Sequence, residues 1–508
     1  MTQPRQSWRS SGRGAGRRGL LVVAAAASCA GAGAQSALTV VPSVAVTATA
    51  TDNRDLSSTR READLVTQIS PGIALSSRRG ALQGSLNYTL DGVVYARDSA
   101  QNNVYHSLGA NGRLSLLDGR AGVNATASAG RQIVSAFGTQ TADANLGTAN
   151  QAQVVSYSLS PYLTGRLLGN VQYRAQAAYS ESRSDAGTTG DTKSLNVSAG
   201  LSGRIAALGW GVDASRTISE TPTTARAHNG RIVGSLNHQF DPELQFFLRA
   251  GTEVDDIRTG QSERTTTWGV GVQWLPGPRT SLRADYDKRF FGRSHALAFS
   301  HRMARTIWTL GDSRSFETGG VAGRAVVSVY DLFFAQFAAV EPDPVRRDAL
   351  VRNFLAANGL DAGSRVVAGG FLTSGPTVQR SQNVSAAYQG LRATITVSLL
   401  RSESRSAVEA TATGGDLANT NRVRQQGLSV SLTHRLTPES SFVVTASQQR
   451  TPSSGNFGGS DLQSVVATWS TRLGPHASAS LGLRHNRFDS DTNPYNESAL
   501  IGSVRLQF

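Results

Sequence analysis

The sequence holds one cysteine, Cys29, and only two lysines, Lys193 and Lys288, among 508 residues. One thiol cannot form an intrachain disulfide or a cysteine metal site. No apolar run reaches the roughly 18 residues that a transmembrane helix requires, and mean hydropathy is −0.24. Helical membrane crossing is thereby excluded, but crossing by strands that are apolar on one face only is not. Zinc-type His/Glu spacing, a P-loop and a nucleophile elbow are also missing. No catalytic residue, cofactor or metal is therefore expected, and an enzyme is the least favoured reading.

The cationic residues are nearly all arginine: all but two of the 50 basic residues, with a formal net charge of +14. The arginines are dispersed singly rather than clustered, which argues against a nucleic-acid partner. Two uses remain for them. They can sit in turns and at lipid headgroups, or they can line an interior that attracts anions.

Arg5, Arg9, Arg13, Arg17 and Arg18 precede the apolar stretch Leu20 to Ala27, and Ala32-Gly33-Ala34 follows as a small-x-small site. This is the layout of a secretory signal peptide. Residues 1–34 are expected to be removed after Sec-type export, with cleavage near Ala34, leaving 35–508 as one domain. Arg17-Arg18 resembles a twin-arginine signal, and Ala26-Ala27-Ser28-Cys29 a lipoprotein box, less closely.

Past that point the dominant pattern is strict alternation. Leu82, Gly84, Leu86, Tyr88 and Leu90 share one face, against Gln83, Ser85, Asn87, Thr89 and Asp91. The same pattern recurs at Val171 to Tyr179, Leu195 to Leu201, Trp268 to Trp274 and Ala393 to Leu399. Period two is the side-chain period of a strand, so its two faces meet different solvents. Tight turns at Leu117-Asp118-Gly119-Arg120, Asp241-Pro242-Glu243, Pro276-Gly277-Pro278, Thr437-Pro438-Glu439 and Gly474-Pro475-His476 separate some strands. Longer polar loops separate others: Ser182 to Asp191, Glu220 to Asn229, Arg405 to Asn421 and Arg450 to Ser460. A sandwich would need an apolar core, and here one face is Ser, Thr, Asn, Gln and Arg throughout. The expected fold is all-β: a transmembrane antiparallel outer-membrane β-barrel of about 22 strands, within a range of roughly 18–22. Its site is the outer membrane of a Gram-negative bacterium, with outer-membrane lipid around it. Tyr88, Tyr95, Tyr157, Tyr162, Trp210, Trp268, Trp274, Tyr286 and Trp469 fall near strand ends, as interfacial girdles do. A TonB-dependent receptor is disfavoured, because alternation begins near Leu38 and leaves no room for a preceding plug domain.

The last strand carries Leu500, Gly502, Val504, Leu506 and Phe508 on one face. Gly502, Val504, Leu506 and Phe508 read as the signal that the barrel-assembly machinery takes as an added edge. One segment, 319–375, breaks the pattern. Ala325 to Ala339 is apolar without alternation. Asp343 then suits a helix N-cap, Pro344 the first helical position and Gly359 the residue past the end. The segment follows an upward strand, so it should start on the extracellular side, as a lid or in-folded plug or as an external cap packed on itself.

The lumen arginines singled out as contacts for an anion or polysaccharide are Arg174, Arg249, Arg283, Arg289 and Arg392. Asp285 and Asp287 alternate on one face with Arg283 and Arg289, which favours an inward salt-bridge ladder over a binding cluster. His301 beside Arg302 and Arg305 reads as an interfacial hairpin rather than a reactive site.

Several stretches, in order, resemble a known family. They are Thr51-Asp52-Asn53 with Asp64 to Ile73, Asp285 to Gly292 with Phe299-Ser300-His301-Arg302, and Asp343-Pro344 through Phe354-Leu355, Gly359-Leu360 and Phe371-Leu372-Thr373. The family is the PEP-CTERM system-associated outer-membrane proteins. The resemblance covers nearly the whole mature chain and implies a place in exosortase-linked exopolysaccharide biosynthesis, without a catalytic residue set. The expected function is non-enzymatic: a conduit for an anionic polysaccharide, partnered by that polymer and by periplasmic export proteins, or else a structural anchoring barrel.

Overall fold

The computed structural model describes residues 38–508, apart from 78–79, 144–145, 168, 188, 223–225, 323–326, 329, 331–332, 335–336, 338–343, 358–364, 368–369 and 409–414. The described residues hold a single 22-stranded antiparallel sheet that closes on itself. Its strands are β1 (Leu38–Thr51), β2 (Asp64–Ser77), β3 (Leu82–Tyr95), β4 (Asn103–Leu116), β5 (Ala121–Ile133), β6 (Gln151–Leu167) and β7 (Val171–Ser184). There follow β8 (Thr192–Ile205), β9 (Leu208–Glu220), β10 (Ala227–Gln239), β11 (Leu244–Asp255), β12 (Glu263–Gly277), β13 (Thr280–Arg289), β14 (Gly292–Arg302) and β15 (Thr306–Glu317). After an insertion come β16 (Thr377–Gln389), β17 (Ala393–Ser406), β18 (Arg422–Arg435), β19 (Ser440–Thr451), β20 (Ser460–Arg472), β21 (Ala477–Ser490) and β22 (Tyr495–Gln507). Each strand pairs with its chain neighbours. β22 closes the ring on β1, with Leu506 opposite Val44, Val504 opposite Val46 and Gly502 opposite Ala48. Closure leaves no row of unpaired backbone groups, the condition for a sheet to lie in hydrocarbon.

The alternation sorts outside from inside. Leu248, Leu399 and Trp268 point outward and are 57%, 51% and 47% exposed. Such apolar exposure around a whole cylinder is an outer belt for lipid, far beyond the patches a water-soluble monomer shows. Of the aromatics read as girdles, two turn the other way. Tyr95 is buried in a core with Leu146 and Phe488, and Tyr162 points into the lumen, its hydroxyl accepting from Arg113 at 3.0 Å. Both are correctly placed near strand ends, but period two puts them on the inner face.

Tight turns and longer loops alternate from end to end. At the tight end, Leu117, Asp118 and Gly119 all take positive φ, and the Asp241 carboxylate accepts from the amides of Glu243 and Leu244 at 2.7 Å. The expected turn at Pro276–Pro278 falls slightly later, because β12 runs on to Gly277. Both β1 and β22 have their outer ends here, joined by the Phe508 amide donating to the Pro42 carbonyl at 3.0 Å. The loop end carries one exception, the two-residue tip Phe290-Phe291 between β13 and β14.

The insertion between β15 and β16 leaves from the loop end. Its stem is a short antiparallel pair, Gly320–Ala322 with Phe371–Thr373, and a second pair joins Val327–Ser328 to Arg365–Val367. A helix, α1 (Pro344–Ala357), follows, opened by Pro344 as its sequence suggests. The expected cap Asp343 and stop Gly359 lie outside the described residues.

Candidate functional site

The buried cores lie inside the barrel or at its mouth, as a hollow cylinder with apolar loops demands. At the loop end, Leu56 and Leu146 from two loops pack on inward Val66, Val93, Tyr95, Leu462 and Phe488. A second core joins Ala136, Phe137, Ala322, Phe371, Leu417 and Val423 from four segments, with Phe137 stacked on Phe457 at 4.8 Å. Leu372 packs on Ala152 and Val154 of β6, while its neighbour Phe371 meets Val423 of β18. Those two strands are ten apart one way round the ring and twelve the other. The insertion stem therefore crosses the mouth between facing walls. Gly190 marks the close approach: its φ is +90°, and a Cβ there would stand 3.0 Å from Leu372.

Charge latches this mouth. Inward Arg484 on β21 donates to Glu497 at 2.8 and 3.1 Å and to Asp143 of the 134–150 loop. Glu497 also accepts from Thr51 at 3.0 Å and Asn486 at 2.8 Å. With all its members hydrogen-bonded, the buried charge set can hold its geometry. Asp416, buried in a neighbouring loop, accepts from the Ala136 amide at 2.7 Å. Burial pushes its carboxyl above the usual range.

The insertion then reaches the opposite end. Phe333, Val351 and Leu355 bury against Val443, an inward residue of β19 close to the tight turns. Phe333, Asn353 and Phe354 share a cavity with Gln389, Arg392, Pro438 and Arg472. Arg347 of α1 lies beside Pro278, Arg302 and Thr309 on the neighbouring wall. The second short pair lies against β18 and β19. Inward Ser429 and Ser431 of β18 and Thr396 of β17 are buried. Across the lumen the wall is open at this level, with the Arg174 side chain 75% exposed.

The arginines singled out from the sequence lie on the inner face of β7, β11 and β13, with one exception. Arg174 pairs with Asp213 at 2.6 Å. Arg249 donates to Asp287 and Asp285, both at 2.9 Å, and Arg283 donates to Asp285 at 2.8 Å. Arg289 pairs with Glu253, which also accepts from Asn229 at 3.0 Å. Arg392 is not on a strand at all; it lies in the tight turn before β17 and lines the cavity beside α1. The ladder reading of Asp285 and Asp287 matches this geometry, and it draws in Arg231 and Glu253, which sequence reasoning did not single out. Arg231, Arg249, Arg283 and Arg289 face Glu253, Asp255, Asp285 and Asp287, and Glu263 opposite Asp255 pairs with Arg258 of the adjoining loop, so wall and loop together carry no net formal charge. His301 donates or accepts at Thr280 Oγ1, 2.8 Å away, on the outer face by the tight turn.

The ladder depends on glycine. Arg249 on β11 is opposite Gly269 on β12, which is opposite Asp287 on β13. A Cβ at Gly269 would lie 2.0 Å from Asp287 Oδ1, and one at Gly271 2.5 Å from Asp285 Oδ1. The bare strand lets an arginine reach over it to a carboxylate two strands away, about 10 Å. Arg174, Gly200 and Asp213 repeat the arrangement on β7, β8 and β9. Inward glycine flanked by opposite charges on the two next strands is the signal that could have found these pairs. Among the described residues no group of three or more His, Cys, Asp or Glu is placed to hold a metal.

An antiparallel barrel with an apolar belt, an occupied lumen and a charge-balanced inner wall defines the class: a closed transmembrane β-barrel with an in-folded segment. Residues 184–290 match the family of proteins of unknown function DUF481, a stretch that contains the whole β10–β13 ladder. No curated protein matches the sequence. Among solved structures, the FrpB iron transporter from Neisseria meningitidis is 13% identical, covering 92% of this chain and 81% of that one with a TM-score of 0.49. The siderophore receptor PirA from Acinetobacter baumannii is 9% identical, covering 92% and 80% with a TM-score of 0.48. The outer membrane protein opdK from Pseudomonas aeruginosa is 10% identical, covering 92% and 99% with a TM-score of 0.31. At these values the likeness brings neither cargo nor mechanism to this chain.

Proposed function

We propose that the chain is a non-enzymatic barrel of the Gram-negative outer membrane that serves as a gated conduit in exopolysaccharide export, with segment 319–375 as its plug. The observation that carries this reading is the path of the insertion, from Phe371 and Leu372 across the mouth to Val351 and Leu355 on Val443 near the other end. A segment that only capped the loops would have no reason to bury apolar residues so far down the lumen. The resemblance to PEP-CTERM system-associated proteins supports the pathway. In this reading the signal is cleaved near Ala34, the strand ending in Gly502, Val504, Leu506 and Phe508 is taken by the assembly machinery, and periplasmic export proteins meet the tight-turn end.

The inner wall supports a hydroxyl-rich polymer as cargo. Paired arginines and carboxylates offer donors and acceptors side by side, and the Phe247 ring, with Arg283 over it at 5.3 Å, adds a flat apolar face. With Arg174, Arg249 and Arg283 already engaged by Asp213, Asp285 and Asp287, the wall offers no excess positive charge to a densely anionic chain, so a sugar polymer of low charge density fits better. The test is planar-bilayer conductance of the intact barrel and of a variant in which 319–375 is replaced by a short glycine linker. The reading expects low conductance that rises several-fold on deletion and is blocked by the cognate polymer. The sealed mouth around Arg484 favours a second reading, an anchoring barrel, under which deletion leaves conductance unchanged.

A further inference from the structure

The outer face of one half of the barrel changes character partway up. On β17 the outward residues run Ala393, Ile395, Val397 and Leu399 from the tight end, then Arg401, Glu403 and Arg405. β18 runs Leu432, Val430 and Leu428, then Gln426, Arg424 and Arg422. On β15, Trp308 and Leu310 give way to Asp312 and Arg314, and on β16 Val384 gives way to Gln382 and Arg380. Lys288, Arg293 and Arg450 extend the row onto β13, β14 and β19. Strands β2, β3 and β4 do not share it: at the same distance from the loops their outward residues are Leu65, Val94 and Val104, each about half exposed.

Nine cations on β13–β19 therefore share this level with two acids. Asp312 is bound by Arg380 at 2.6 Å, Gln382 at 3.0 Å and His295 at 3.0 Å. Glu403 is bound by Arg405 at 2.6 Å and Arg424 at 2.9 Å. Arg293, Arg314, Arg401, Arg422 and Arg450 have no carboxylate at ion-pair distance among the described residues. The register sets like charges directly opposite one another: Lys288 against Arg293, Arg314 against Arg380 and Arg405 against Arg422. Such pairs repel and weaken a ladder unless an anion lies between them. They stand just above the apolar belt, where the headgroups of the outer leaflet lie.

We propose that this outward band on β13–β19, centred on Arg314, Arg401, Arg405 and Arg422, is a docking site for a phosphorylated glycolipid of the outer leaflet. Its phosphates take the paired guanidiniums in bidentate fashion while its acyl chains lie on Leu399, Val430 and Val384 below. The site rests on the barrel spanning a membrane and not on any role of the lumen, so conductance results leave it untouched.

The experiment uses the full barrel in zwitterionic detergent and reads the shift in thermal unfolding on adding bisphosphorylated lipid A. The expected shift is several degrees for the wild type and for Arg216→Gln, an outward arginine on β9, and under one degree for the combined variant Arg314→Gln, Arg401→Gln, Arg405→Gln, Arg422→Gln. Dephosphorylated lipid A and inorganic phosphate at equal concentration should each give none. Should the combined variant fail to fold, the comparison of the two lipid A forms on the wild type decides alone. An equal shift from the dephosphorylated lipid, an equal shift in the folded combined variant, or no shift in the wild type would overturn the proposal.

Discussion

Glycine at Gly200, Gly269 and Gly271 decides where charges can meet across the lumen wall. Each takes up no space on the inner face, and an arginine on one side reaches an acid on the other. Gly269→Val should break this. Its side chain would meet Asp287 Oδ1 and the Tyr286 carbonyl, the latter 2.8 Å from the Cβ alone. Overpacking of this kind costs about 1–3 kcal/mol, to be read as a lowered denaturant midpoint in micelles, while Gly269→Ser should cost less. At the mouth, the raised carboxyl of Asp416 sets a pH dependence. A group whose folded value lies above its unfolded one contributes stability that is complete below the unfolded value and is lost as pH rises through the folded one. The protection factor of the Ala136 amide, its exchange rate relative to the base-catalysed rate of an open amide at the same pH, should therefore be highest in acid and fall as pH climbs past the ordinary carboxylate range. Asp416→Asn should flatten that profile; an unchanged profile would assign it to another group.

Single strands carry the strongest message in the sequence, because period two writes both solvents into ten or so consecutive residues. That is why the alternating faces, the turns at Asp118-Gly119 and Asp241-Pro242, and the opening of α1 at Pro344 could be read without coordinates. The test of a face is a charge placed on it. Val397→Arg, near the middle of the outer belt, should cost about 2–4 kcal/mol and reduce the heat-modifiable band. Ser398→Arg, one residue along and facing inward, should cost far less. If both behave alike, the inside–outside assignment of β17 is wrong. What a strand read singly could not show is its neighbour's neighbour: Arg249 is an anion contact by itself and a neutralised pair once β13 is two places away. The outward arginines of β15–β18 escaped notice for a related reason. Alternation predicts a face but not the height at which the apolar belt ends.

Across the whole molecule, the mouth is assembled from residues that lie far apart in the chain, and no local pattern announces them. Leu56, Leu146 and Phe488 belong to three separate segments, and the latch runs from Asp143 to Arg484 and Glu497. The break in alternation at the insertion was visible; its descent past Leu372 to Val443 was not, because that depends on which wall it meets. Arg484→Met would leave Asp143 and Glu497 buried without their cation, a loss of about 3–5 kcal/mol by analogy with other broken buried pairs. The expected outcome is local: chymotrypsin should cut at Phe137 in the variant and not in the wild type, with the barrel itself still resistant and heat-modifiable. Resistance at Phe137 in the variant would show that apolar packing alone holds the 134–150 loop.

One wall of the tube, at Ser429, Ser431 and Thr396, is buried, while on the facing wall the Arg174 side chain is exposed. The described apolar residues of the insertion, Phe333, Val351 and Leu355, thus lean on one side of the cylinder, at Val443, so a substitution at Val443 should loosen their anchorage while one at Arg174 should leave it intact.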